Sequence, residues 1–506
     1  MGINCVKVSA MNLIIFTPVL RESAIGRMAK IVVQQLIDTG HQVTVIRSEN
    51  LELMPLETHK FPCPVIRWDD QKAILKVAKD ADGVIYQIGD NFQFHMGCLE
   101  WLPKLPGVIC LHDYFLGSLF WEWSNYRPRE KAYAILRRLY GNEVEGYFNH
   151  NSAESFIEAT HSVMPMTEWV VSMAQAIIIH SSWDIRRVLS ACSGPVKVIP
   201  LAYDKPQLVA NAPSGNKSEN FLVVTIGHIN PNKRVQSVIR AIGASDSIRE
   251  RTLYRLVGQI EPTVATELTL LAQSLGVNLQ ISGKVDDQEL ASALSQADVV
   301  SCLRWPTLEA ASASAIEAML YAKPVIVTNA GFYSELPSDC VVKISPEREL
   351  DELRAALETL CNDSALRKTL GQRAVDYASL TFSAEQYVEL LIDLIDETRS
   401  LTVAKSALLQ SVETLHRWGA PGDVAYSLIN TESLGIFNIS LSNTLTASDS
   451  AKGFLNRKMI FVQKKLASLL YKFITSRPRL FNHILAIVNA SPRLKNIIRW
   501  LMAYTK

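Results

Sequence analysis

The chain has 506 residues, close to half of them hydrophobic, and its 51 basic and 50 acidic side chains nearly cancel. That length holds two or three domains with full cores, and the absence of any apolar run of 18 residues excludes a spanning helix. The balance hides an asymmetry: twelve of the basic residues and none of the acidic ones lie in 451–506, so the rest carries a net −11. An acidic body with a basic tail calls for a partner. Eight cysteines, at 5, 63, 98, 110, 192, 302, 340 and 361, form no Cys-x-x-Cys pair and have no histidine at ligand spacing. This pattern fits reduced thiols in a cytoplasmic protein and argues against zinc. Residues 1–10 read as a polar-mixed lead-in rather than a signal peptide, and Met11 is a second candidate start.

Taken in order, residues 13–17 predict an apolar strand, followed by a loop and a helix that ends at Gly40, and 43–46 predict a second strand. Ser23-Ala24-Ile25-Gly26-Arg27 occupies the first strand-to-helix loop. Gly26 there is either a ligand-facing glycine or a plain turn residue. Further strands are expected at 83–86, 108–111, 176–179 and 196–199, with helical patterns between them. This alternation means a parallel, doubly wound sheet, which places ligand residues just past the strand C-termini. Two such positions stand out: Asn91 and His95 after one strand, and His112 and Asp113 after the next. Residues 115–138 are aromatic and basic, which suits a ligand-lining region or a packed helical insert equally well.

Residues 205–220 are a polar linker rich in Pro, Gly, Ser and Asn. A second alternating segment follows, with strands expected at 222–226, 255–257, 279–281, 299–302 and 325–328. Gly227-His228 and Lys233-Arg234 form a basic turn after its first strand. Asp69-Asp70 and Asp286-Asp287 read as loop and helix-cap residues rather than a metal pair. Leu303 to Pro337 is the most informative stretch. Arg304 and Thr307 lie in a loop, Ser312 opens a small-residue helix, and Glu309 and Glu317 sit eight positions apart. The helix N-terminus offers unpaired N–H groups and a partial positive charge, which suit a phosphate.

Glu309-x7-Glu317 with Lys323-Pro324-Val325-Ile326 resembles the retaining family 4 glycosyltransferases of GT-B fold. Leu303-Arg304-x-Pro306-Thr307 and Glu335-Leu336-Pro337 resemble its bacterial polysaccharide and O-antigen branch. The resemblance covers about 11–400. It implies two Rossmann-like domains facing a cleft, at 1–205 (acceptor side) and 221–400 (nucleotide-sugar side), joined by 206–220, with a helical extension over 401–506. It also implies metal-independent transfer of a hexosyl group to a glycan or lipid-linked glycan, without a cofactor. By the same resemblance His228, Lys233, Arg234, Arg304, Ser312 and Glu317 would hold the donor. Glu309 and His112 would serve the reacting sugar, and Gly26, Arg27, Asn91, His95 and Asp113 would line the acceptor side. The branch puts GDP-mannose slightly ahead of UDP- and dTDP-sugars. Two departures stand: His228 replaces an arginine, and Ala310-Ala311-Ser312 replaces Gly-Phe-Gly. A catalytically inactive scaffold and a nucleotide-sugar epimerase are the alternatives.

The tail interleaves Phe454, Leu455, Ile460, Phe461, Leu469 and Phe473 with lysines and arginines at helical spacing. This reads as an interfacial helix on the inner face of the cell membrane rather than a nucleic-acid site, because the acidic body would repel a polyanion. Each cation near anionic lipid contributes about 1 kcal/mol. In flotation with anionic vesicles at low salt, the full chain is expected to float and a chain ending at residue 450 to stay soluble. Equal behaviour of the two would make the tail an internal clamp.

Overall fold

The structure is a computed structural model that describes residues 10–148, 153–183, 185–203 and 220–417. The basic tail and most of the polar linker lie outside these residues. The chain divides into one unit of Met1–Cys192 with Lys197–Asp396 and another of Ser193–Val196 with Glu397–Lys506. Apart from Val196, both sheets belong to the first unit.

The first sheet is built from β1 (Asn12–Thr17), β2 (Gln42–Arg47), β3 (Val65–Arg67), β4 (Gly83–Ile88), β5 (Val108–Leu111), β6 (Ala176–Ile179) and β7 (Val196–Val198). Their order is β3-β2-β1-β4-β5-β6-β7, and the registered pairs from β3 across to β6 are all parallel. The second sheet comprises β8 (Phe221–Ile226), β9 (Thr252–Val257), β10 (Asn278–Ile281), β11 (Val299–Cys302), β12 (Val325–Thr328) and β13 (Val342–Ile344). It runs β10-β9-β8-β11-β12-β13, parallel throughout. Central strands such as β5, β6, β11 and β12 are buried along their whole length. This fits near-continuous apolar runs covered by helices on both faces. Each sheet reverses its strand order beside its first strand, between β1 and β4 and between β8 and β11. Doubly wound sheets bind ligands at the strand C-termini beside such a switch point.

Two short edge strands, β3 and β13, were absent from the sequence-based expectation, and the other strands lie where expected to within a few residues. The stretch 115–138 forms the helices Gly117–Asn125 and Arg129–Tyr140. Phe120 is buried against Trp123 and Trp169, and the half-buried Trp121 packs on Phe156, so these rings make a packed insert. The final helix, Ala384–Arg417, begins with a Ser383 cap and returns to the first sheet. Its Tyr387, Leu391 and Ile395 join one apolar cluster with Leu13, Ile15 and Val108.

Gly26 sits in the helix Ala24–Asp38, which Ser23 caps by accepting the Gly26 N–H at 3.0 Å. A Cβ there would stand 2.6 Å from the Pro18 carbonyl oxygen, which is rigid backbone. Gly26 is thus required by the close approach of the β1 loop. Gly26→Ala is expected to cost about 1–3 kcal/mol through overpacking, measured as a lowered midpoint in thermal unfolding. An unchanged midpoint would return Gly26 to a purely ligand-facing role.

Candidate functional site

One half of the candidate site is made by three loops at the C-terminal edge of the second sheet, where the sequence places the donor. The first leaves β8 at Gly227, whose φ of +84° is open to glycine, and turns through Pro231–Lys233. Lys233 folds back into the protein, 4% exposed, and its Nζ donates to the Ile226 carbonyl at the strand end. Gly227 leaves the room this requires, since a Cβ there would lie 2.9 Å from Nζ. Burial lowers the Lys233 pKa to about 7, and the Arg304 charge adds to the effect.

The second loop leaves β11 at Leu303. Arg304, also buried, donates to the Leu303 carbonyl at 2.9 Å and pairs with Glu309 at 3.0 Å. The same Glu309 oxygen accepts the Tyr333 hydroxyl at 2.7 Å. Asn232 laces the first two loops together: its carbonyl accepts the Trp305 N–H at 2.9 Å, and its side chain donates to the Pro306 carbonyl. The third loop follows β12 and supplies Tyr333 from the turn Phe332–Glu335. Between these loops, Ser312 caps the helix Ala313–Leu320 by accepting the Ala315 N–H at 3.3 Å. Glu317, in that helix, accepts the Tyr203 hydroxyl at 2.9 Å and faces Arg27 at 3.7 Å, while Arg27 lies over the Tyr203 ring. Burial raises the Glu317 pKa, and Arg27 and Tyr203 act against the rise.

Two cations expected at the donor are placed differently from Lys233 and Arg304. Arg234 adopts φ +55° and spends its guanidinium on Glu349 through three contacts of 2.8–3.1 Å. It anchors the loop rather than facing Lys233. His228 is exposed. The buried positive charge therefore comes from Lys233 and Arg304, on adjoining strands.

The other half, where the sequence places the acceptor, stands at the ends of β4 and β5. His112 and Asp113 follow β5, and their backbone meets the Glu309 loop directly. Ala310 N donates to the His112 carbonyl at 3.0 Å, and Tyr114 N and Phe115 N both donate to the Leu308 carbonyl at 3.0 and 3.1 Å. Asp113 and Glu309 thereby form an antiparallel bridge. Two further ties come from the segment after β6: Ser181 Oγ donates to the Ala310 carbonyl at 2.9 Å, and Ser182 gives its N–H and hydroxyl to Glu335. Asp113 accepts the Asp90 N–H at 2.8 Å. Its pKa rises to about 6 through burial, with Glu309 contributing. Asn91 is used as a helix cap toward the Phe94 N–H. His95 is 1% exposed and accepts the Gly89 N–H at 3.1 Å, so its ring offers no open surface to an acceptor.

Sequence reasoning missed Tyr333 and Tyr203, and it gave no role to Glu335 or Gln87. Tyr333 and Glu335 stood inside the motif stretch, Gln87 stood at a strand end, and Tyr203 carries no local pattern. It also passed over Cys110, which packs between His112 and His180. The ligand-type atoms of these three lie within 4.8 Å of one another.

The architecture is GT-B. Residues 209–376 match the family model described as glycosyl transferases group 1. The fold is shared with HepE of Anabaena, solved in complex with UDP and glucose, at 16% identity and a TM-score of 0.53, over 76% of this chain and 99% of that one. It is shared with a glycosyltransferase of Rickettsia africae at 14% identity and a TM-score of 0.54, over 77% and 99%. Sucrose-phosphate synthase of Thermosynechococcus elongatus gives 15% identity and 0.52, over 78% and 100%. No curated protein matches the chain. The GT-B fold and the family match together support a glycosyltransferase.

A nucleoside diphosphate beside Lys233 would restore the proton that burial disfavours. Its affinity is therefore expected to fall as pH rises from 7 to 9. Lys233→Ala and Arg304→Met should each lose a charge-assisted contact of about 1.5–3 kcal/mol, at least about tenfold in affinity by calorimetry. Arg234→Met should change it less than about twofold. Equal losses from all three would place Arg234 in the phosphate site after all.

Proposed function

We propose that the protein is a retaining, metal-independent hexosyltransferase that moves a sugar from a nucleotide donor to a hydroxyl of a glycan or lipid-linked glycan, in the synthesis of a surface polysaccharide. The observation that carries this reading is the pairing of two unlike walls. Lys233, Arg304 and the N-terminus of the helix Ala313–Leu320 form a positive wall, and the His112-Asp113 segment stands against it through main-chain hydrogen bonds.

The reaction must stabilise a departing nucleoside diphosphate while the anomeric carbon becomes cation-like. Charges fixed in advance in a dry site serve this best. In this reading Lys233 and Arg304 hold the phosphates, with Ser312 at the helix terminus beside them. Glu317 takes the ribose hydroxyls once Tyr203 and Arg27 yield. Glu309, fixed by Arg304 and Tyr333, holds hydroxyls of the donor sugar, and His112 orients the reacting sugar. The acceptor hydroxyl gives its proton to the leaving phosphate, so no dedicated base is demanded. The UDP and glucose bound by HepE make UDP-sugars the first donors to test, ahead of the GDP-mannose expected from the sequence branch. No helix among the described residues is long and apolar enough to cross a membrane. A peripheral place at the inner membrane face, reached by 451–506, remains part of the proposal.

The test is a thermal-shift screen of UDP, GDP and dTDP, since a bound ligand raises apparent stability by mass action, followed by turnover assays in EDTA. Glu317→Gln is expected to weaken binding of the free nucleoside diphosphate. Glu309→Gln should leave that binding alone and lower turnover by about tenfold or more, about 1.4 kcal/mol of barrier. Wild-type turnover in both variants would sink the assignment of the two carboxylates.

A further inference from the structure

The imidazole of His112 ends a run of buried polar groups that the mechanism above does not use. The run begins at a main-chain carbonyl, Ile199 O, 2.8 Å from His180 Nδ1. A carbonyl only accepts, so His180 carries its proton on Nδ1 and keeps a lone pair on Nε2. Cys110 Sγ lies 3.4 Å from that Nε2 and is therefore the donor between them. The sulfur then accepts from the Tyr387 hydroxyl at 3.3 Å. With its hydrogen spent, the Tyr387 oxygen is left as an acceptor, and the Gln87 side chain acts on it as an amide N–H donor would, favouring the charged form. Only the amide nitrogen of Gln87 can donate, so its Oε1 is the atom turned to His112, where it sits 2.7 Å from Nε2. The last donor is thus His112 Nε2–H. Cys110 also approaches this Nε2 at 3.8 Å, the longer of its two histidine contacts.

Strand register explains why these groups meet. Gln87 on β4 is paired with Cys110 on β5, and Cys110 with Ile178 on β6. His180 is two residues past Ile178 and therefore on the same face. Tyr387 comes from the returning helix. Burial keeps every member neutral: it lowers His180 to about 4 and His112 well below its ordinary value, and raises Cys110 to about 12 and Tyr387 well above its ordinary value. The titratable groups acting on His112 are His180 and His95, and both oppose a charge on it. Asp113, next in sequence, turns its carboxylate to the Asp90 N–H.

We propose that this proton-ordered chain holds His112 as its neutral Nε2–H tautomer, with Gln87 and Tyr387 as positioning residues, so that Nδ1 presents a lone pair to a hydroxyl of the bound sugar. Among the described residues Nδ1 has no hydrogen-bond partner, and it is not one of the fully sealed unsatisfied atoms, so a ligand atom can reach it. A lone pair accepts a hydroxyl hydrogen and repels a carboxylate, so the sugar at this point is neutral and hydroxyl-bearing rather than a uronate. The sugar as ligand rests on the glycosyltransferase reading, whereas the tautomer stands without it.

The full chain labelled with ¹⁵N-histidine can be read by long-range ¹H–¹⁵N NMR, with His112 assigned by difference against His112→Asn, or His112→Gln if the first does not fold. The expected spectrum has His112 protonated on Nε2 and His180 on Nδ1, both neutral from pH 8 to 6. Gln87→Glu keeps the acceptor oxygen but adds a charge, so His112 should shift to its cationic form over that range. Gln87→Leu should give mixed tautomers. An Nδ1–H signal for His112 in the unaltered chain, or a cationic ring at pH 7, overturns the proposal. These readouts need no turnover, so their failure is distinct from that of the glycosyltransferase reading, which would show as a chain that binds no nucleoside diphosphate.

Discussion

The site depends first on main-chain hydrogen bonds that cross from one sheet to the other. His112 O, Leu308 O and the amides of Ala310, Tyr114 and Phe115 join the loop after β5 to the loop after β11 at 3.0–3.1 Å. Backbone groups are obligatory hydrogen-bonding groups, and a buried one left unpaired costs as much as a lost bond. The two loops therefore satisfy each other. Their pairing fixes where Glu309 stands relative to His112, and it does so without any particular side chain. That independence fits the substitution of Ala310-Ala311-Ser312 for a glycine-rich run. The backbone contact survives, and Ala310 supplies both an N–H to His112 and a carbonyl to Ser181.

The sequence made most of the fold legible because buried parallel strands are near-continuous apolar runs, and these can be read locally. β5, β6, β11 and β12 fell at the positions their apolar runs predicted. β3 and β13 did not, for a physical reason: each has three residues and lies at an edge, and β3 shows an exposed, half-buried, exposed pattern with no apolar run. The sites divide in the same way. Lys233, Glu309, Glu317 and Ser312 could be found because motif spacing places them at strand or helix ends. The destination of a long side chain could not be read. Arg234 and Arg304 look equivalent in sequence, yet Glu349, 115 positions away, captures the first, while Glu309 and Tyr333 hold the second. His95 and Asn91 were legible as residues beyond a strand end, but their hydrogen bonds to Gly89 and Phe94 turn them to structural use.

In the proposed reading, charge must be made up at residue 228, where an exposed histidine stands in place of the arginine that the resemblance implies. Arg304 stays charged at any working pH, and it lies close enough to Lys233 to push that lysine's pKa down. Two cations of like sign, both buried, raise each other's energy. Glu309 offsets part of that cost through Arg304. In the proposed reading a dianionic diphosphate would offset more.

The opposite wall is built on the reverse electrostatic plan. His112, His180, Cys110 and Tyr387 are all held neutral by burial, and Asp90 and Asp113 both have raised pKa values. Charge is thus concentrated on the β8 and β11 side and suppressed on the β4 and β5 side, across only the width of the paired loops. A nucleotide sugar has the same division along its length, with charge confined to the diphosphate and a neutral polyol beyond it. A uniformly positive cleft would bind the diphosphate as well but would draw a polyanion into any orientation. In the proposed reading a cationic wall facing a neutral one admits the ligand in one direction, and the tautomer proposed for His112 then decides which kind of hydrogen-bonding group the neutral end must carry.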